Sequence, residues 1–190
     1  MLTPLWRSSL TTVTSLPAYE LAEYCYYRMF TFCVSLTNLP ELPEFSSLAT
    51  GCFKSMFQDC TAITTAPELS AYQLGENCCQ NMFSNCTSLT TAPWLRAFIL
   101  ADNCYNEMFL GCSKLTSVTL FIESEINEDF NPLFYLSNWL NGAGTDVQEP
   151  QKPILYLFGV FYLYYNDYRD DWTNESLFPA NWTVQPYTGN

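Results

Sequence analysis

Apolar and polar positions along the first two thirds of the chain repeat with a long period. Met-Phe stands at 29–30, 56–57, 82–83 and 108–109, at intervals of 27, 26 and 26. Four residues before each Met comes Cys25, Cys52, Cys78 or Cys104, and three after each Phe comes Cys33, Cys60, Cys86 or Cys112. Three further on lies Leu36, Ile63, Leu89 or Leu115, so the unit is C-x3-M-F-x2-C-x2-[LI] in four copies. Within one unit, residues 90–95 predict a short strand with Ala92 and Leu95 inward, ended or bent by Pro93, which recurs as Pro40 and Pro67. Leu100, Cys104, Met108 and Phe109, at separations of 4, 4 and 1, predict a short helix whose wet face carries Asp102, Asn103, Asn106 and Glu107. Strand, turn, short helix and turn cannot bury their apolar side alone, so neighbouring units must stack. The expected fold is a repeat solenoid of about four coils over residues 9–121, after a lead-in of residues 1–8. The one-residue insertion falls between Pro43 and Gly51, where a loop absorbs it.

The register assigns the core and the surface. Cys25, Met29, Phe30, Cys33 and their equivalents Cys52, Met56, Phe57, Cys60, Cys78, Met82, Phe83, Cys86, Cys104, Met108, Phe109 and Cys112 are expected to stack as core columns. Their spacings, C-x7-C and C-x18-C, are not those of metal knuckles, so reduced buried thiols are expected and no metal. Cys79 shares a position with Tyr26, Phe53 and Tyr105, expected on an outward helical face, and is the thiol expected to react first. Ser15, Glu41, Glu68, Trp94 and Leu120 should point outward, each before a buried Leu16, Leu42, Leu69, Leu95 or Phe121. Tyr19, Phe45, Tyr72 and Phe98 form a second column. Two readings of it stay open: packing on a neighbouring turn, or a stripe for contact with a protein or glycan. Tyr19, Phe45, Tyr72, Trp94 and Phe98 are the candidate ligand-binding residues.

Residues 122–190 leave the register and are expected to form a C-terminal β-rich capping region. Glu123, Glu125, Glu128 and Asp129 read as a solvated acidic loop, and Asn141-Gly142-Ala143-Gly144 as a turn. Residues 154–165 (ILYLFGVFYLYY) read as one or two strands, broken or bulged at Gly159, that cover the open end of the solenoid. Asp167, Asp170 and Asp171 with Tyr168 and Trp172 fit a polar turn between strands as well as paired carboxylates.

Composition narrows the function classes. Seven Lys and Arg against 19 Asp and Glu give a net charge of −12, which repels nucleic-acid phosphates and anionic membranes. With no histidine, every His-based triad and His-containing zinc site is excluded. No nucleophile motif and no cofactor fingerprint appear, so no enzyme and no cofactor are expected. No stretch reaches 18 apolar residues, so no direct membrane insertion is expected.

The MFxxCxxLTxAPxL unit resembles the BspA-like leucine-rich repeat proteins of gut and oral Bacteroidales. The matching residues are Cys25-Tyr26 with Met29-Phe30, and Cys104-Tyr105 with Met108-Phe109 and Gly111-Cys112. Asn138-Trp139-Leu140-Asn141-Gly142 looks like the signature after the last repeat of such proteins, and 178–184 like their closing Pro-x-x-Trp-Thr-Val. Departures occur at Leu69-Ser70 and Leu95-Arg96, where members show Leu-Pro. The resemblance implies a leucine-rich-repeat-like α/β right-handed solenoid. It implies a non-enzymatic, adhesion-type module at the cell surface or secreted, contacting a host or cell-surface protein or glycan. No signal peptide is visible after Arg7. The alternative is a structural spacer or assembly segment of a larger surface or phage-related protein.

Overall fold

The computed structural model describes residues 8–16, 20–42, 45–122, 131–148, 150–158, 161–163, 165 and 177–188. Among these residues six strands lie side by side in chain order: β1 (Phe45–Ser47), β2 (Leu69–Gln73), β3 (Thr91–Ala97), β4 (Ser117–Ile122), β5 (Ile154–Leu157) and β6 (Thr183–Pro186). Every neighbouring pair is parallel. Consecutive parallel neighbours require the chain to return to the same end after each strand, and stacked coils do this. The protein is a parallel β-solenoid. An isolated bridge, Thr12 to Asn38, carries the ladder back before β1, and β5 and β6 carry it past residue 121. The central strands turn alternate residues inward, as with Val118, Leu120 and Ile122 of β4 or Leu155 and Leu157 of β5, all buried.

The four segments expected to be helices are not helical. In the second unit the N–H groups of Cys52, Met56 and Cys60 donate to carbonyls only three residues back, Ala49, Phe53 and Phe57, at 3.1–3.2 Å. The alternate N–H groups, of Gly51, Phe53, Ser55, Phe57 and Asp59, donate at 2.8–2.9 Å to Glu76, Cys78, Gln80, Met82 and Ser84 of the next coil. A helix would instead spend every N–H four residues back within its own segment. Every fourth residue has positive φ: Tyr24, Arg28 and Phe32, then Gly51, Ser55 and Asp59, then Asn77, Asn81 and Asn85, then Asn103, Glu107 and Gly111. Each rung is therefore a run of four-residue turns, half of whose bonds cross to the next coil. Asn and Gly at the left-handed positions lower the cost of that backbone.

A further rung follows β4. The N–H groups of Tyr105, Glu107, Phe109 and Gly111 donate to the carbonyls of Tyr135, Ser137, Trp139 and Asn141. Positive φ returns at Asn138 and Gly142. Leu136, Trp139, Leu140 and Ala143 thus take the places of Tyr105, Met108, Phe109 and Cys112, and all are buried. A short helix, α1 (Leu133–Leu136), leads into this rung. Trp139 Nε1 donates to Leu177 O at 2.7 Å, and Trp182 Nε1 and Asn181 Nδ2 donate to Ala143 O at 3.1 and 3.0 Å. These bonds fasten the C-terminal segment to the rung. Among the described residues of 154–165, those of β5 form a strand, and 161–163 are helical rather than a second strand.

The core is a set of columns running along the stack. Phe30, Phe57, Phe83 and Phe109 are stacked face over face at 5.6, 5.5 and 6.0 Å, with interplanar angles of 10°, 13° and 6°. The thiols of Cys60, Cys86 and Cys112 donate to the carbonyls of Phe30, Phe57 and Phe83 at 3.0–3.2 Å. All nine cysteines are free thiols. Because the turn period is four rather than 3.6, the residue after each first Cys faces inward as well. Tyr26, Phe53, Cys79 and Tyr105 are therefore buried, not outward. Cys79 is fully covered, and burial pushes its thiol well above its usual value, which is the reverse of a reactive cysteine. Cys25 is the thiol left only partly covered. Met29 also departs from the expected core: it is 40% exposed, while Met56, Met82 and Met108 are buried. Cys25 and Met29 lie on the first described rung, whose alternate N–H groups bond to the following coil.

Candidate functional site

Large apolar groups remain in solvent on the outward side of the sheet. Tyr72 is 55% and Trp94 51% exposed. Their neighbours follow from the register. β2 and β3 pair with an offset of 26, which sets Tyr72 beside Phe98, and the rings stack at 4.6 Å. In β3 the register shifts between Thr91 and Trp94, where Pro93 cannot donate to the ladder, so Thr91 faces Ser117 but Trp94 faces Thr119. From there Arg96 faces Phe121. This shift corrects the expected column. Leu120 lies opposite Leu95 and is buried, whereas Phe121 is only half-buried and looks outward.

Phe45 is a second correction. It pairs with Ala71, not Tyr72, is 8% exposed and packs on Phe53 at 5.9 Å. The extra residue of that coil is already used up before β1, so Phe45 falls in the inward row of Ala71 and Ala97. Tyr19 lies outside the described residues, as do Glu123, Glu125, Glu128, Asp129, Asp167, Tyr168, Asp170, Asp171 and Trp172. Of the five candidates, the structure brings together Tyr72, Phe98 and Trp94.

It joins to them residues that the sequence reading passed over. From Tyr72 and Phe98 the rings continue to Phe121 at 6.5 Å, Phe158 at 4.3 Å and Tyr187 at 5.5 Å. Tyr187 also meets Tyr156 at 6.1 Å and, edge-on, Trp94 at 5.2 Å. The Arg96 guanidinium lies 5.5 Å from the Phe98 ring and 5.2 Å from the Phe121 ring. Glu68 is fixed beside it, accepting the Trp94 backbone N–H on Oε2 at 3.2 Å. Two clefts adjoin here. One of about 320 Å³ is lined by Trp94, Arg96, Thr119, Phe121 and Phe158. The other, about 310 Å³, is lined by Glu68, Leu69, Trp94 and Arg96. A third, of about 550 Å³, lies between residues 37–42 and 65–68 at the same level of the coils. Among the described residues no group of three or more Cys, Asp or Glu could hold a metal ion, and no helix is long and apolar enough to cross a membrane.

Comparison with known proteins adds little. No family model matches the chain, and no curated protein does. Among solved structures, a leucine-rich repeat protein from Bacteroides ovatus is similar over 80% of this chain, at 16% identity and a TM-score of 0.32. The aligned part is 46% of that protein, so the chain spans less than half of its length. The solenoid rests on its own ladder of parallel strands and turns. The signal for the missed residues was the i, i+2 alternation in Trp94-Arg96-Phe98, Thr119-Phe121 and Tyr156-Phe158, readable only with the shift at Pro93 in hand.

Proposed function

We propose that this chain is a non-enzymatic binding module of the BspA-like leucine-rich repeat kind, which contacts a protein or glycan through the outward face of its sheet. The observation that carries the reading is the unbroken path of aromatic rings from Tyr72 to Tyr187, with Trp94 and Tyr72 more than half exposed. A soluble face does not keep such a patch in water without a use, and rigid aromatics give large contact area at low entropic cost. The strands hold the rings at fixed spacing, which favours recognition of an extended ligand. Display at the cell surface or secretion fits this role. The test is an array screen, of host matrix and cell-surface proteins beside a glycan panel, with wild type and the Trp94→Ala and Tyr72→Ala variants. Hits lost in the variants at unchanged melting temperature support the reading. Hits that ignore both substitutions overturn it.

The spacer or assembly reading has one observation in its favour. The first described rung exposes Tyr24, Tyr27, Met29, Phe32 and Val34 by 40–47%. A face of that kind suits stacking on another element. Concentration-dependent association, abolished by charged substitutions at Met29 and Val34, would move the weight to this reading.

A further inference from the structure

We infer that the two adjoining clefts take consecutive rings of a glycan carrying a single carboxylate, with Arg96 holding the carboxylate; this deepens the binding reading above and rests on it. The starting point is the state of Arg96. Its side chain is exposed, and its guanidinium makes no ion pair or hydrogen bond with a described residue. It is nonetheless held in place, because Phe98 and Phe121 both lie within 5.5 Å of it. Aromatic packing orders the guanidinium, and among the described residues its fork of N–H donors is unspent. A planar anion that accepts two of them at once is the matching ligand group, and a carboxylate does so.

The rest of the lining selects a sugar over a simple carboxylate. Trp94, Phe121 and Phe158 offer apolar ring surface for the C–H face of a pyranose, and the Thr119 hydroxyl can serve its hydroxyl groups. On the far side of Trp94 and Arg96 the lining changes to Glu68. That carboxylate accepts hydroxyl protons and repels an anion, so the acidic ring belongs in the Phe121 cleft and a neutral ring beside Glu68. The clefts share Trp94 and Arg96, so one disaccharide can occupy both. The overall charge of −12 sets a further limit. A polyanion would be repelled at long range and would find one cation here, so a lone acidic sugar next to a neutral one is favoured over a polyuronate or a nucleic acid.

The experiment titrates the whole chain with three probes: an aldobiuronic acid (glucuronic acid linked to a neutral sugar), its methyl ester, and the corresponding neutral disaccharide. The inference expects the acid to bind about tenfold or more tightly than the ester, from one charge-assisted pair. Arg96→Gln should erase that difference, and Arg96→Lys should not restore it in full. Glu68→Gln should leave the preference for the acid in place. Equal binding of all three probes, insensitive to Arg96→Gln, overturns the inference. So does a failure of every probe while a protein on the array binds through Trp94, and in that case the binding-module reading survives. If nothing on either panel depends on Trp94 or Arg96, both fall.

Discussion

Phe83→Ala tests the column architecture most sharply. Phe83 is fully buried and stacked on both sides, against Phe57 at 5.5 Å and Phe109 at 6.0 Å. Removing a buried Phe side chain costs about 3–5 kcal/mol, and a good aromatic pair adds about 0.5–1.5 kcal/mol beyond its burial. With two pairs lost, Phe83→Ala belongs at about the top of that range. Among the described residues Phe30 has one ring neighbour, Phe57, and it sits at the end of the column at 9% exposure. Phe30→Ala should therefore cost less, by about one pair, or roughly 1 kcal/mol. Urea unfolding of both variants gives the difference, provided the slope is unchanged, and each kcal/mol lowers the melting temperature by about 2–4 °C at this chain length. A double-mutant cycle between Phe57 and Phe83 should return a coupling of about 0.5–1.5 kcal/mol. Equal costs for Phe30→Ala and Phe83→Ala, or no coupling between Phe57 and Phe83, would refute the stacked column.

Other consequences are as direct. Phe32 is exposed with φ of +64°, so Phe32→Asn, which tolerates that backbone better, should raise stability by about 0.5–1 kcal/mol in the same urea assay. Ser84 Oγ is buried with no hydrogen-bond partner among the described residues, and Ser84→Ala should stabilise by about 1 kcal/mol, where an ordinary buried hydroxyl deletion would destabilise. Native thiol titration should find Cys25 alone, reacting slowly because burial raises its thiol too, and Cys25→Ser should abolish the signal. Burial also pushes Cys112 up to about 12 from 9.0. Below pH 9 both folded and unfolded chains keep that proton, while between 9 and 12 only the unfolded chain releases it. Stability should then fall by about 1.4 kcal/mol per pH unit for this thiol. Cys86 and Cys104 act in the same direction, so melting temperature should drop steeply above pH 9 and Cys112→Ala should blunt the slope.

The repeat was legible because a solenoid writes its columns into the sequence: Met-Phe and two Cys positions recur wherever a rung must fill the same space. The secondary structure of the rung was not, since Leu100, Cys104 and Met108 at spacings of four imitate a helical face. Helix residues four apart drift by about 40° per step, so three strict spacings of four, counting the one from Met108 to Cys112, already favour a period-four turn. Asn77, Asn81 and Asn85 repeat the same message through left-handed backbone. Of the candidate face, Tyr72, Phe98 and Trp94 could be placed by counting. Phe45 and Leu120 could not, because one extra residue before β1 and one register shift at Pro93 each exchange inward for outward. Arg96 showed in the sequence only as a departure from Leu-Pro, and the rings that orient it come from the neighbouring strand and the end of its own. Phe158 and Tyr187 lie in a region whose strands join the ladder only through pairing that spans 29 to 37 residues, from Ser117 to Ile154 and from Ile154 to Thr183.

The central claim is that the outward aromatic face is for contact and not for core. The strongest array ligand, titrated against wild type and Trp94→Ala with both melting temperatures recorded, tests it directly. The account predicts a loss of at least about 2 kcal/mol in binding, roughly 30-fold, from a central aromatic. It also predicts a melting temperature within about 2 °C of wild type, because half of Trp94 is already in water. A large fall in melting temperature, or binding that survives Trp94→Ala unchanged, would contradict it.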